Sequence, residues 1–152
     1  MIEEELKKLA EDELSYAVYL RLKDERMAAE DYGVIAKIRG HEILHYAKYG
    51  SYQGEWLLIS YFADRFYIWK GYYGSCSGCD SLEAAGLREE STIDNVVDFC
   101  RDYFPFAVLD KSVAKSLYEK GQLKSIFPLN IAYDDRDADI ANAIFALEPK
   151  IK

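Results

Sequence analysis

The first part of the chain alternates apolar and charged residues with a helical period. Its apolar positions are Ile2, Leu6, Leu9, Leu14, Val18 and Leu22. This spacing is close to 3.6 residues and predicts a surface helix running to about Met27, within an N-terminal helical unit spanning 2–30. From Gly33 the apolar residues alternate with a period of two across 34–39. That alternation favours a short strand, although the same residues also permit a helix.

Residues 41–73 form a block rich in aromatic and β-branched side chains. Of the 22 aromatic residues in the chain, 11 lie between Tyr46 and Tyr73, and such residues favour strands. We therefore predict three strands, at 41–49, 55–63 and 66–73. A tight turn at 63–65 would join the second strand to the third. The result is a three-stranded antiparallel meander within a sheet region spanning 41–79.

Helical periodicity returns after Cys79. One apolar stripe consists of Ile93, Val96, Val97, Cys100 and Phe104. Its helix would begin at the cap Ser91, with Asp94 three residues later, and end near Pro105. Two further helices have candidate caps at Asp110 or Ser112 and at Asp134 or Asp135. Helices in 81–148 and the N-terminal helix would flank the meander, so the sequence predicts a single α+β domain.

Charge and length restrict the functional classes. The 152 residues carry a net charge of −8, divided as −5 in 1–32, +2 in 33–79 and −5 in 80–152. The acidic ends argue against a nucleic-acid partner, because binding to phosphates requires clustered Lys and Arg. Neither a secretion signal nor an apolar run of membrane-spanning length is present, so we expect a cytoplasmic protein without a membrane partner. Three cysteines in such a chain indicate reduced thiols or a metal.

The pattern Y-G-S-x-x-G occurs twice, at 49–54 and 73–78. The first and third strands of a meander end on the same side, so the two Gly-rich loops are predicted to form one rim. Such a polar, glycine-lined rim bordered by aromatic side chains is typical of a small-ligand or peptide site. The candidate binding residues are Tyr49, Ser51, Tyr52, Gln53, Glu55, Tyr73, Ser75 and Asp80. Alternatively, the loops hydrogen-bond to one another and only close the end of the sheet.

The same region carries a resemblance. The strings Y-G-S-Y-Q-G-E-W at 49–56 and G-Y-Y-G-S-C-S-G-C-D at 71–80 resemble a group of small proteins of bacteria, archaea and their viruses, in which Asp is expected in place of Glu55. The resemblance covers about 46–83, with a weaker similarity near Tyr133. It implies that the source is a virus or another mobile element, and it implies no activity.

Cys76 and Cys79 have the C-x-x-C spacing that lets two thiolates bind one zinc ion. A second ligand pair is missing, and Cys100 belongs to an apolar stripe where a free cysteine behaves as a small hydrophobic residue. A redox pair and a purely structural loop are the alternatives, since a following helix would stabilise a thiolate while Asp80 would oppose it.

The two histidines of the chain, His41 and His45, form an H-E-x-x-H motif with Glu42. On a helix both imidazoles would reach one zinc ion, and Glu42 would act as general base. On a strand the two side chains would lie roughly 13 Å apart, at about 3.3 Å per residue. The strand predicted for this segment therefore removes the site.

Two functional classes remain open from the sequence. A binding protein would recognise a host protein or a small ligand at the rim, and its acidic helices would also suit an inhibitor of a host nucleic-acid-binding protein. An enzyme would be a zinc-dependent hydrolase, or would use a thiol or zinc site at Cys76 and Cys79. We expect no cofactor in the first case and zinc in the second, and the oligomeric state stays open.

Overall fold

The structure is a computed structural model that describes residues 1–21, 25–50, 53–74, 80–87, 90–128 and 136–152. Its helices are α1 (Glu3–Tyr19), α2 (Val34–Lys37), α3 (Ser81–Ala85), α4 (Ile93–Cys100), α5 (Lys111–Glu119), a 3-10 turn (Leu123–Ile126) and α6 (Arg136–Ile151). Its strands are β1 (Arg26–Met27), β2 (Glu42–Gly50), β3 (Gly54–Phe62), β4 (Arg65–Tyr73), β5 (Ser91–Thr92) and β6 (Ala107–Asp110). Within these residues, no helix combines the length and apolar character needed to cross a membrane.

The main sheet has four antiparallel strands in the order β2-β3-β4-β6, and β1 pairs with β5 in a separate two-stranded ribbon. Ala63 and Asp64 turn the chain from β3 to β4, and both have positive φ values, +51° and +59°. That conformation matches a two-residue hairpin turn whose twist suits the flanking strands. Phe62 and Arg65 consequently face each other, and the pairing runs on to Gly54 and Tyr73.

The two central strands β3 and β4 are buried on both faces, which explains their nearly continuous apolar runs. Trp56 and Leu58 pack on one face with Leu14 of α1 and Val96 of α4. Leu57 and its face neighbours pack on the other side with α5, the 3-10 turn and α6. We call these two sides the α1/α4 layer and the α5/α6 layer. Because successive side chains of a strand point to opposite faces, each central strand contributes residues to two separate hydrophobic cores.

The α+β class and the three consecutive strands of the meander are confirmed, but the sheet is larger than predicted. β6 adds a fourth strand against the first half of β4. It is only four residues long and lies between Pro105 and the start of α5, so the sequence carries little periodic signal for it. The prediction of a three-stranded sheet was therefore incomplete.

Two N-terminal predictions were wrong in their local structure. The first helix ends at Tyr19, and Arg26 and Met27 form β1 instead of the last helical turn. The segment 34–37 is the short helix α2, with Val34, Ile35 and Ala36 all buried. A strand with one buried face would expose every second residue, so burial of three consecutive side chains overrides the apparent alternation.

The start of α4 also differs by one residue from the prediction. Thr92, not Ser91, is the N-cap, and its hydroxyl accepts a hydrogen bond from the backbone amide of Asn95 at 3.4 Å. The predicted cap Asp110 occupies the N-cap position of α5, but its side chain accepts no capping hydrogen bond and binds Arg65 instead. The candidate caps of the last helix, Asp134 and Asp135, lie outside the described residues.

Candidate functional site

The structure separates the two histidines of the H-E-x-x-H motif. The segment forms β2, as predicted, and His41 immediately precedes it. His41 contacts Tyr67 and Trp69 in the α1/α4 layer. His45 pairs with Ile59 and faces the α5/α6 layer, where burial lowers its pKa. Because the imidazoles lie on opposite faces of the sheet, they cannot bind one metal ion, and the hydrolase hypothesis based on this motif is wrong.

His41 instead belongs to a buried polar chain. The indole of Trp69 donates to the hydroxyl of Ser60 at 3.0 Å, and that hydroxyl lies 2.9 Å from Nδ1 of His41. On the other side of the ring, Nε2 lies 3.4 Å from the Glu13 carboxylate of α1. Tyr67 donates a hydrogen bond to the same carboxylate. The chain joins α1 to the centre of the sheet.

This arrangement of Ser60, His41 and Glu13 is not a catalytic triad in its geometry. Ser60 is fully buried and already accepts a hydrogen bond from Trp69. The stacked ring of Phe62, 4.9 Å from the imidazole, covers His41. A substrate carbonyl would have to reach a hydroxyl enclosed on all sides, so the chain of polar groups serves to hold the fold together.

Among the residues that the structure describes, no cysteine has a reactive thiol. Cys76 and Cys79 lie outside the described residues, so their zinc and redox hypotheses stay predictions. Cys100 is fully buried in α4, and burial raises the pKa of its thiol to about 12. A buried thiol of this kind is unreactive. Among the described residues, no three His, Cys, Asp or Glu side chains converge as metal ligands.

The strand ends that flank the predicted rim lie side by side, because the end of β2, the start of β3 and the end of β4 meet at one end of the sheet. Gly54 pairs with Gly50 on one side and with Tyr73 on the other. The hydroxyl of Tyr73 donates to the backbone carbonyl of Tyr49 at 3.2 Å, which confirms that these two tyrosines are neighbours. A Cβ atom on Gly54 would lie 1.8 Å from that carbonyl oxygen, so only glycine fits there. Ser51, Tyr52 and Ser75 lie outside the described residues.

The Asp80 carboxylate links the residue that follows β4 to the start of α3. One carboxylate oxygen accepts from Tyr32 at 2.7 Å and from the amide of Leu82 at 3.0 Å, and the other accepts from the amide of Gly74 at 3.0 Å. Burial alone would raise the pKa of Asp80, but the hydrogen bonds from Tyr32 and the backbone amides outweigh it and hold the pKa below its usual value. Asp80 is thus buried, and both of its carboxylate oxygens accept hydrogen bonds from within the fold.

A row of three side chains crosses the rim on the α5/α6 side of the sheet. Tyr49, Glu55 and Tyr72 are paired across β2, β3 and β4. Tyr72 is 73% exposed, whereas burial raises the pKa of Tyr49 to about 12. Burial also raises the pKa of Glu55, opposed by the charge of Lys70. Tyr72 is the most accessible aromatic side chain of this row, and the sequence prediction did not include it.

Most of the net negative charge lies on the other layer. Residues 3–19 hold six acids and two bases, and residues 90–102 hold four acids and one base, giving net charges of −4 and −3. We call the surface of these two segments the acidic face. Residues 111–128 of the opposite layer hold four lysines and one glutamate, a net charge of +3. Residues 111–128 and the acidic face therefore carry net charges of opposite sign.

A groove follows the contact between α1 and α4 on the acidic face. One half is a cavity of about 570 Å³ that reaches from Glu4 to Phe104. The other half is a cavity of about 480 Å³ that reaches from Val18 to Asp94. Glu11 and Arg101 line both halves. We call the whole feature the α1–α4 groove.

Arg101 lies at the centre of this groove. Its Nε atom is 4.0 Å from the Glu11 carboxylate of α1, and its Nη1 atom is 3.6 Å from the Asp98 carboxylate of α4. The Arg101 side chain is 55% exposed. Burial of Leu14 and Val97 gives the groove an apolar floor beneath these charges.

The sequence matches no family model, and neither a curated protein nor a solved structure is significantly similar to it. The acidity of the helices was visible in the sequence, but their juxtaposition was not. It depends on α1 and α4 packing side by side over one face of the sheet, although they are separated by the whole meander.

Proposed function

We propose that the protein binds the basic surface of a protein partner through its acidic face. The observation that supports this is the concentration of charge: the two segments of the acidic face together carry −7 of the net −8. Complementary potentials speed up association and select partners. A partner whose basic surface binds nucleic acid would be blocked by such an occupant, which is the inhibitor hypothesis that the sequence left open.

The arrangement favours binding over catalysis. Five carboxylates and three cations line the groove, and its second half combines three of the carboxylates with the apolar side chains of Leu14 and Val97. This combination suits long cationic side chains with apolar stems. The acids of the groove are exposed, and three of them, Glu4, Asp94 and Asp102, form no ion pair among the described residues. They are available to a partner without breaking an internal contact.

The test measures binding of a fluorescein-labelled nona-arginine peptide by fluorescence anisotropy. The variant Glu11→Gln/Asp98→Asn removes two acids from the groove. The matched control Glu119→Gln/Asp137→Asn removes two exposed acids from the α5/α6 layer and has the same net charge. We expect about tenfold weaker binding for the groove variant, since two exposed charge pairs contribute about 1.4 kcal/mol together.

The control variant should bind within about twofold of wild type, the difference expected from long-range charge alone. Equal losses in both variants would show that only net charge matters and would contradict the proposal. Binding of wild type that does not weaken as salt increases would contradict it as well, because contacts between exposed charges are screened.

We propose the rim as a second binding surface, on the strength of the exposed ring of Tyr72 beside the Glu55 carboxylate. An exposed aromatic next to a few polar groups is the composition of a small-ligand or peptide site. Binding at the rim would differ from binding at the groove in being independent of salt, since the nearby charge of Lys70 opposes that of Glu55.

A further inference from the structure

The α1–α4 groove already contains three cations supplied by the chain itself, because Lys7 and Lys8 line its first half and Arg101 lines both halves. Arg101 extends from the end of α4 and lies between Glu11 and Asp98, at 4.0 and 3.6 Å. Both distances are at the long end of ion pairing, and neither contact is a hydrogen bond of ordinary length. Arg101 is therefore weakly held between the two carboxylates.

The two halves of the groove open on either side of Arg101. In the first half, the ammonium of Lys7 lies 5.2 Å from the centroid of the Phe104 ring, so the face of this ring suits a cation, and a cation of the partner would take the place of Lys7 there. In the second half, Asp94 and Asp98 are two exposed carboxylates four residues apart on α4, and residues at this spacing lie on the same side of a helix.

We propose, building on the function proposed above, that the groove takes an arginine-rich segment of the partner protein and that Arg101 is displaced when the segment binds. Arginine fits better than lysine for two reasons. Its planar fork can bond two oxygens of a carboxylate, and its flat face stacks on aromatic rings such as Phe104. Arg101 thus lowers the affinity of the free protein for its partner.

The proposal predicts a gain of affinity on removing a side chain. Arg101→Gln should bind nona-arginine about three- to tenfold more tightly than wild type, because Glu11 and Asp98 lose their internal partner. The matched control Lys124→Gln removes one exposed lysine from the α5/α6 layer and produces the same net charge. It should change the affinity by less than about twofold. The ion pairs of Arg101 are exposed, so both variants should keep the fold of wild type.

The second arm replaces the peptide by nona-lysine. Wild type and Arg101→Gln should both bind nona-arginine more tightly than nona-lysine. Equal gains in Arg101→Gln and Lys124→Gln would overturn the displacement by Arg101 while leaving the charge-driven function intact. Weaker binding by Arg101→Gln would overturn it too, since Arg101 would then help to hold the peptide. A wild-type protein that binds neither peptide would refute the function itself along with this inference.

Discussion

The hydroxyl of Tyr73 donates a hydrogen bond to the backbone carbonyl of Tyr49 at 3.2 Å, although the whole of β3 separates their strands. The phenol crosses above Gly54, the residue of β3 that has no side chain to obstruct it. The Tyr73 ring also lies beneath the Lys48 ammonium, 4.7 Å from its centroid. Three strand ends are thereby fixed relative to one another.

Removing the exposed polar side chains of the rim should leave stability nearly unchanged. Gln53 is exposed and Glu55 is half-buried, so we expect Gln53→Ala/Glu55→Ala to lower the free energy of unfolding by less than about 1 kcal/mol. If the rim binds a ligand, that binding should be lost, while nona-arginine binding at the groove should persist. Loss of stability by several kcal/mol in urea unfolding would show instead that the rim is purely structural.

Replacing Ser60, the smallest residue of the buried polar chain, should destabilise the folded protein. Ser60→Ala leaves the Trp69 indole and Nδ1 of His41 without their partner, and we expect a loss of about 2 to 4 kcal/mol in the free energy of unfolding. Ser125→Ala is the matched control, because the exposed Ser125 hydroxyl donates a hydrogen bond to the carbonyl of Gln122 on the surface. Urea unfolding followed by tryptophan fluorescence measures both. Similar small losses would mean that the buried polar chain does not hold α1 on the sheet.

Asp80 should make stability depend on pH in the acid range. Its pKa in the folded protein is below the usual value, about 3.9 in an unfolded chain. Between these two values the unfolded state binds more protons, so stability falls as pH decreases. The contribution of Asp80 is complete above about pH 5 and is lost as pH falls through the folded-state pKa.

The variant Asp80→Asn isolates this effect. We expect it to be less stable than wild type by about 1.5 to 3 kcal/mol at pH 7, because charge-assisted hydrogen bonds from Tyr32 and the backbone amides are lost. The difference should shrink below pH 4. A difference that stays constant from pH 7 to pH 3 would contradict the role assigned to the ionised carboxylate.

The meander was predictable because its signals are local. Dense aromatic residues, the two Gly-rich loops and the turn at Ala63 and Asp64 each specify structure within a few residues. β6 and α2 were missed because each is four residues long, and their conformation depends on what they pack against. In α2, three consecutive buried residues fill the α1/α4 core. No period within so short a segment indicates that environment.

The candidate sites divide in the same way. The nearness of Tyr49 and Tyr73 followed from strand direction alone, and strand geometry also removed the zinc site at His41 and His45. The α1–α4 groove was beyond prediction, because the facing of Glu11 and Arg101 depends on how two helices distant in sequence pack together. The sequence of a helix shows which of its positions are charged, but it does not show which other helix lies beside them.

The location of the peptide on the protein is the most direct test of the acidic face as the binding surface. Amide signals of ¹⁵N-labelled wild type would be followed by two-dimensional NMR during titration with unlabelled nona-arginine. We predict that the largest shifts fall on residues 4–18 and 94–104, which line the α1–α4 groove, and that α5 and the rim stay unchanged. Shifts concentrated at Gln53, Glu55 and Tyr72, or spread evenly over all exposed acids, would contradict the account.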